Sequence, residues 1–172
     1  LINHEGNLLL ILNNITRSEE FIEIYKESRN YLESIISNIS SGILVLDTEL
    51  RITSLNKVQE QLFNITGLQI NLIDAIGFSL PELIQDKFPG ELIKTITTVL
   101  NTGKNEEIPE LKVQNIIFKV NISPLRDSAG NVKGIIQVME KITKEKELEK
   151  KVIDSEKLAI IGSMIVTVNH QI

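Results

Sequence analysis

The 172-residue sequence contains no cysteine. That removes disulfides, thiolate zinc sites, iron–sulfur ligation and cysteine nucleophiles together. Histidine is nearly as scarce, with His4 and His170 the only two. No uninterrupted apolar run approaches the ~18 residues of a membrane-spanning helix. The most apolar late stretch, Leu158 to Val168, is broken by Gly162, Ser163 and Thr167. No secretion signal is recognisable, so the Asn-x-Ser/Thr triplets at Asn14, Asn38, Asn64 and Asn121 read as chance and a cytoplasmic location is expected. A formal net charge of -5 supplies no broad basic field for gripping phosphates, and nucleic acid is not an expected partner. No glycine-rich nucleotide loop is present either.

What is present suits one compact domain with attached helices: 42% hydrophobic and 24% charged residues, and a start at Leu1 that reads as part of a longer protein. Gly6-Asn7-Leu8 leads through an apolar run to Asn14-Ile15-Thr16-Arg17, and Gly130-Asn131-Val132 leads through another to Lys141-Ile142-Thr143-Lys144. Both read as a turn, a strand and a Thr capping a charged helix. Residues 17–38 then form a helix whose Phe21, Tyr25, Ser28, Leu32, Ile35 and Ile39 step by four and three. This is a seam for pairing with a parallel partner helix, or the apolar side of a helix packed on its own domain.

The middle is mixed. Gly42 to Asp47 is a short apolar strand that turns at Thr48-Glu49 into a second, Arg51 to Leu55. Asn56 caps a helix containing Leu62 and Phe63, with Gln59 placed to reach back in a capping box and Gly67 at the exit. Gly77 and Pro81 keep residues 68–88 irregular. A longer helix spans about Gly90 to Thr102, with Leu92, Ile93, Ile96, Val99 and Leu100 on one face and Gly103 as its left-handed cap. Three strands follow: Glu106 to Val113, demoted to an edge by Pro109; Ile116 to Ser123; and Val132 to Glu140. The order predicts an α+β fold, a five-stranded antiparallel sheet with helices on one face.

This order resembles the PAS domain, as do Ser41-Gly42-Ile43, Asp47, Asn56, Ser123-Pro124-Leu125-Arg126-Asp127 and Lys141-Ile142-Thr143 at its joints. The resemblance implies a PAS domain over 39–143, a preceding PAS-like domain ending at 1–16, a linker helix at 17–38, and a signalling helix from 144. It also places any ligand between the sheet and the helix at 90–102. No histidine lies in that core, so histidine-ligated haem is not expected, and the absent cysteine excludes a photosensor that forms a cysteine–flavin adduct. With only 4% aromatics, either the core fills itself or it takes a small, largely apolar ligand. No cofactor is evident in the chain.

The final stretch resembles the dimerisation and phosphotransfer helix of sensor histidine kinases, in which a Lys-Leu-Ala, a Gly five residues after the Lys and a His eight after that Gly recur. Lys157, Gly162 and His170 keep both intervals. Leu158, Ile161, Ile165, Val168 and Ile172 step by three and four as a seam. With Ile165 at position a and Val168 at d, His170 falls at f, away from the seam. The resemblance implies that His170 is the phosphoacceptor, its neutral imidazole attacking the γ-phosphoryl group of ATP. Gln171 stands where the family has an acidic residue and cannot act as a base at neutral pH. The implied partners are a second copy of the chain, the ATP-binding domain of the same protein and a response regulator. Without that ATP-binding domain the chain is expected to be inactive. Leu148, Val152, Ser155, Leu158 and Ile161 depart from a strict heptad by successive threes, a local overwinding. The alternative is a PAS dimerisation or ligand-binding module of a non-kinase regulator, a transcription activator or cyclic-nucleotide enzyme.

Overall fold

The computed structural model describes residues 4–169, with side chains described over 19–161 except Leu72. The chain divides into two units, the second beginning at Ser41. The first holds a single helix, α1 (His4–Asn38). The strand expected after Gly6 is part of this helix, a correction with a local reason. The run Leu8-Leu9-Leu10-Ile11-Leu12 is mostly leucine, a strong helix former, rather than the β-branched residues that favour strands. On α1, Phe21, Tyr25 and Leu32 are exposed, and Arg29 pairs with Glu33 one turn on at 2.8 Å.

The second unit runs β1 (Gly42–Asp47), β2 (Ile52–Leu55), α2 (Lys57–Ile65), α3 (Leu72–Ala75), α4 (Leu80–Ile84), a 3-10 turn (Gln85–Lys87), α5 (Gly90–Thr102), β3 (Glu106–Val113), β4 (Ile116–Arg126), β5 (Val132–Lys141) and α6 (Thr143–Asn169). The five strands form one sheet in the order β2-β1-β5-β4-β3, every neighbouring pair antiparallel. The last strand is therefore central. It pairs Gly42 with Met139, so the start and the exit of the sheet lie side by side.

Alternation along the strands sorts the two faces. Leu44 and Leu46 of β1, Phe118, Val120 and Ile122 of β4, and Ile135 and Met139 of β5 are buried on the inner face. They share one core with Leu62 and Phe63 of α2, Leu80 and Ile84 of α4, and Leu92, Ile96 and Val99 of α5. The Phe63 and Phe88 rings meet edge to face, 6.2 Å between centroids. Gly103 ends α5 in the left-handed conformation, its N–H donating to the Val99 carbonyl at 2.8 Å.

Prolines mark where the ladder needs no donor. Pro109 lies on the edge strand β3, at a shift in register. Pro124 pairs with Ile135 of β5, beyond the point where β3 stops pairing with β4. The exposed edge of β2 is covered by the α3–α4 connection: Ile52 donates to the Phe78 carbonyl at 2.9 Å and Leu80 to Leu50 at 2.9 Å.

Candidate functional site

Two places in the second unit join structure to function: the seat of α2 on β1, and the passage from β5 into α6. Asn56 organises the first. Its side-chain oxygen accepts the N–H groups of Gln59 and Ile43, both at 2.9 Å, and its amide nitrogen donates to the Ser41 carbonyl at 3.0 Å. One side chain thus caps α2 and ties it to β1. The reciprocal half of the expected capping box does not form. The Asn56 N–H donates to Ile43 at 3.0 Å, while the Gln59 side chain turns into the core. Gly42 makes this possible, because a Cβ there would stand 3.0 Å from the Gln59 Cα and overlap its side-chain oxygen.

The second place is the output junction. After β5, Ile142 donates to the Ile117 carbonyl at 2.9 Å, and the Ile117 N–H donates to the Thr143 hydroxyl at 2.9 Å. Thr143 was expected to cap its own helix; its hydroxyl instead faces β4, because the strand beside it offers an N–H in register. One turn later, Lys146 bridges Glu110 of β3 at 2.9 Å and Glu149 of α6 at 2.8 Å. Hydrogen bonds donated to the Glu149 and Glu110 carboxylates push the Lys146 ammonium above the usual lysine range. The hydrogen bond from Lys146 holds the Glu110 carboxyl below its ordinary range. Thus α6 is fastened to two strands before it leaves the sheet.

Two surface hollows lie among the short helices. One, of about 350 Å³, is lined by Leu68, Gln69, Ile70, Asp74, Phe78, Leu83 and Lys87. The other, of about 320 Å³, lies between Lys57, Glu60, Asn71, Ile73 and Asp74. Among the described residues no group of three or more His, Asp or Glu side chains could hold a metal ion. Nor is any helix of these residues long and apolar enough to cross a membrane.

Residues 36–147 match the family described as PAS fold. The chain belongs to the PAS family. It is similar to the sensor protein kinase WalK of Staphylococcus aureus, 26% identical over 148 residues, which is 84% of this chain and 22% of the relative. The chain therefore spans about a fifth of that relative's length. Among solved structures, the histidine kinase ThkA in complex with the response regulator TrrA superposes with a TM-score of 0.63 at 24% identity, covering 80% of this chain and 39% of that one. An RNA-binding light-oxygen-voltage receptor superposes with a TM-score of 0.55 at 17% identity, covering 76% and 37%.

In PAS terms, the sheet and α5 lie where the sequence predicts them, and α6 continues as one helix from Thr143 through Gly162 to Asn169. Leu148, Val152, Leu158 and Ile161 along it are exposed. His170 and Gln171, the residues singled out for phosphotransfer, lie outside the described residues, as does the side chain of His4. Sequence reasoning missed the Glu110–Lys146 bridge, which joins residues 36 positions apart. It also missed Gln137, fully buried on the central strand. The alternation Ile135, Gln137, Met139 carried that second signal.

Proposed function

We propose that this chain is the signal-input region of a two-component sensor histidine kinase, a PAS domain that relays a signal to the phosphoacceptor His170 through paired helices. The observation that carries the reading is the extent of the WalK similarity. It runs for 148 residues, longer than the PAS match at 36–147, so it continues into at least one flanking helix, and the chain after the PAS match carries the Lys157–Gly162–His170 spacing. The fastened start of α6 supports it. A change in sheet geometry at β3 or β4 acts directly on Thr143 and Lys146, and so on the direction in which α6 departs.

In this reading residues 17–38 of α1 are the linker helix that follows a preceding PAS-like domain ending at 1–16, and the protein acts in the cytoplasm as a homodimer. The exposed apolar residues of α1 and α6 form the seams between copies. The heptad puts His170 at position f, away from the seam, so that the ATP-binding domain of the same protein and then a response regulator can reach it. Gln171 replaces the family's acidic residue with an amide that can accept a hydrogen bond but takes no proton at neutral pH.

A chain extended through its ATP-binding domain tests the proposal. Incubated with ATP, it should gain acid-labile phosphate that the His170→Ala variant lacks; equal phosphate in both would refute the assignment. A cysteine cross-linking series over residues 148–165 tests the relay. A seam pattern that changes with signalling state supports it, whereas one unbroken heptad in every state removes it.

A further inference from the structure

Each exposed large apolar side chain among the described residues lies on α1 or just past it at Ile39, on α6, or in one stretch of the folded body, Ile65 to Phe78. That stretch exposes Ile65, Ile73, Ile76 and Phe78, with Ile73 at 85%. Single exposed apolar residues are ordinary, but several together mark a place where something docks. In the kinase reading α1 and α6 meet a second copy; residues 65–78 have no such partner.

The backbone that presents these side chains is held. The Asn71 side chain accepts the N–H groups of Ile73 and Asp74 at 3.0 and 2.9 Å and so opens α3. Gly77 donates to the Ile52 carbonyl at 2.7 Å, Ile52 donates back to Phe78 at 2.9 Å, and the Arg51 guanidinium donates to the Gly77 carbonyl at 3.1 Å. Residues 77–78 are thus pinned to the edge of the sheet while the Ile76 and Phe78 side chains face water. A surface fixed in advance loses little freedom when a partner docks. The two hollows share Asp74 of α3 and so adjoin; the larger has apolar walls at Leu68, Ile70, Phe78 and Leu83, and Ile73 borders the smaller.

Charge decides what covers this face. Residues 57–87 carry six charged side chains, Lys57, Glu60, Asp74, Glu82, Asp86 and Lys87, four acidic and two basic. Both cations are already engaged, Lys57 with Glu60 at 2.8 Å and Lys87 with the Gly67 carbonyl. Asp74, Glu82 and Asp86 are exposed and, among the described residues, in no ion pair. Glu82 and Asp86 each precede a residue that lines the larger hollow, Leu83 and Lys87. We infer that this face docks a partner protein through a basic amphipathic helix. The apolar side of that helix lies on Ile73, Ile76 and Phe78, and its Lys or Arg side chains meet Asp74, Glu82 and Asp86. A second copy using the same face would set these carboxylates against their own kind, and an anionic membrane would meet like charge. The surface belongs to the outside of α2–α4, whether or not His170 accepts phosphate.

The test uses the 172-residue chain and an amidated amphipathic peptide of about 18 residues built from leucine, alanine and lysine. Its controls are the same peptide with glutamate for lysine, and a scrambled order of the same composition. In 1H–15N spectra the basic peptide should shift the backbone amides of residues 65–87, and its affinity should fall as salt rises. Ile73→Ser, Phe78→Ser and the double variant Glu82→Gln with Asp86→Asn should each raise its Kd about tenfold. All three variants should melt within about 2 °C of the wild type, as exposed substitutions do. Shifts confined to α1 or α6, or no shifts at all, would overturn the inference. So would equal binding of the acidic or scrambled peptide, salt-independent affinity, or an unchanged Kd in the variants. A variant that melts far lower or fails to fold would show that the side chain is packed and the face not free. Self-association lost in Phe78→Ser would assign the face to a second copy, and cosedimentation with phosphatidylglycerol vesicles lost in that variant would assign it to a membrane; either result removes the partner helix.

Discussion

Replacing Gly42 by alanine puts one methyl group between β1 and α2, and its cost can be worked from the geometry. The added Cβ would lie 3.0 Å from the Gln59 Cα and 2.8 Å from Leu62 Cδ1, besides overlapping the Gln59 side-chain oxygen. Carbon atoms rest at about 3.5–4.0 Å, so α2 must retreat by roughly 0.5–1 Å. Such a gap forfeits about a quarter to a half of each contact's attraction across the seat of Leu62 and Phe63. Overpacking of this kind costs about 1–3 kcal/mol. Against it, alanine restricts the unfolded chain and returns about 0.4–1 kcal/mol. The net expectation is a loss of about 1–2 kcal/mol in urea denaturation followed by far-UV circular dichroism. Gly90→Ala is the internal control. It begins α5 with no atom near its Cβ position, so only the unfolded-state term applies and stability should rise. A Gly42→Ala protein as stable as the wild type, beside a stabilised Gly90→Ala, would show that α2 does not bear on β1 as described.

Asn56→Ala should cost about 2–4 kcal/mol in the same assay, because it strips the N–H groups of both Ile43 and Gln59 of their acceptor at once. A loss under 1 kcal/mol, the size of a helix cap alone, would show that Asn56 does not tie α2 to β1. The Glu110–Lys146 bridge should make the start of α6 sensitive to acid. The Glu110 carboxyl titrates below its unfolded value of roughly 4.3. Its contribution is therefore complete above that value and lost as pH falls through the lower folded pKa. Hydrogen exchange at the first turns of α6 should accelerate in that acid window in the wild type, and be fast already at pH 7 in Glu110→Gln. Identical pH profiles for the two proteins would remove the bridge from the account.

The sheet was legible in the sequence because its signals are local. Alternation in Ile116 to Ser123, turn chemistry at Gly130-Asn131 and the cap at Gly103 each depend on a few neighbouring residues, and the sheet strands lie within a residue or two of where those signals put them except β4, which runs three residues past Ser123 to Arg126. The strand after Gly6 failed for the converse reason. Its apolar run has no period that separates strand from helix, and its leucines favour the helix in the absence of a strand to pair with. Gln59 failed differently. Its spacing from Asn56 suits a capping box, but the Asn56 N–H belongs to β1, a partner 13 residues away that local spacing does not reveal.

By itself, the sequence determined the order of elements, the inner face of the sheet and the Lys157–Gly162–His170 intervals, since each follows from periodicity or fixed spacing along the chain. Only the tertiary structure decided what those elements share. Antiparallel pairing in the order β2-β1-β5-β4-β3 makes the last strand central. That one fact sets Gln137 on the inner face between Leu44 of β1 and Ile122 of β4, and brings Thr143 and Lys146 of the output helix to β4 and β3. Contacts between residues far apart in sequence are fixed by the register of the sheet, and register is a property of the folded whole.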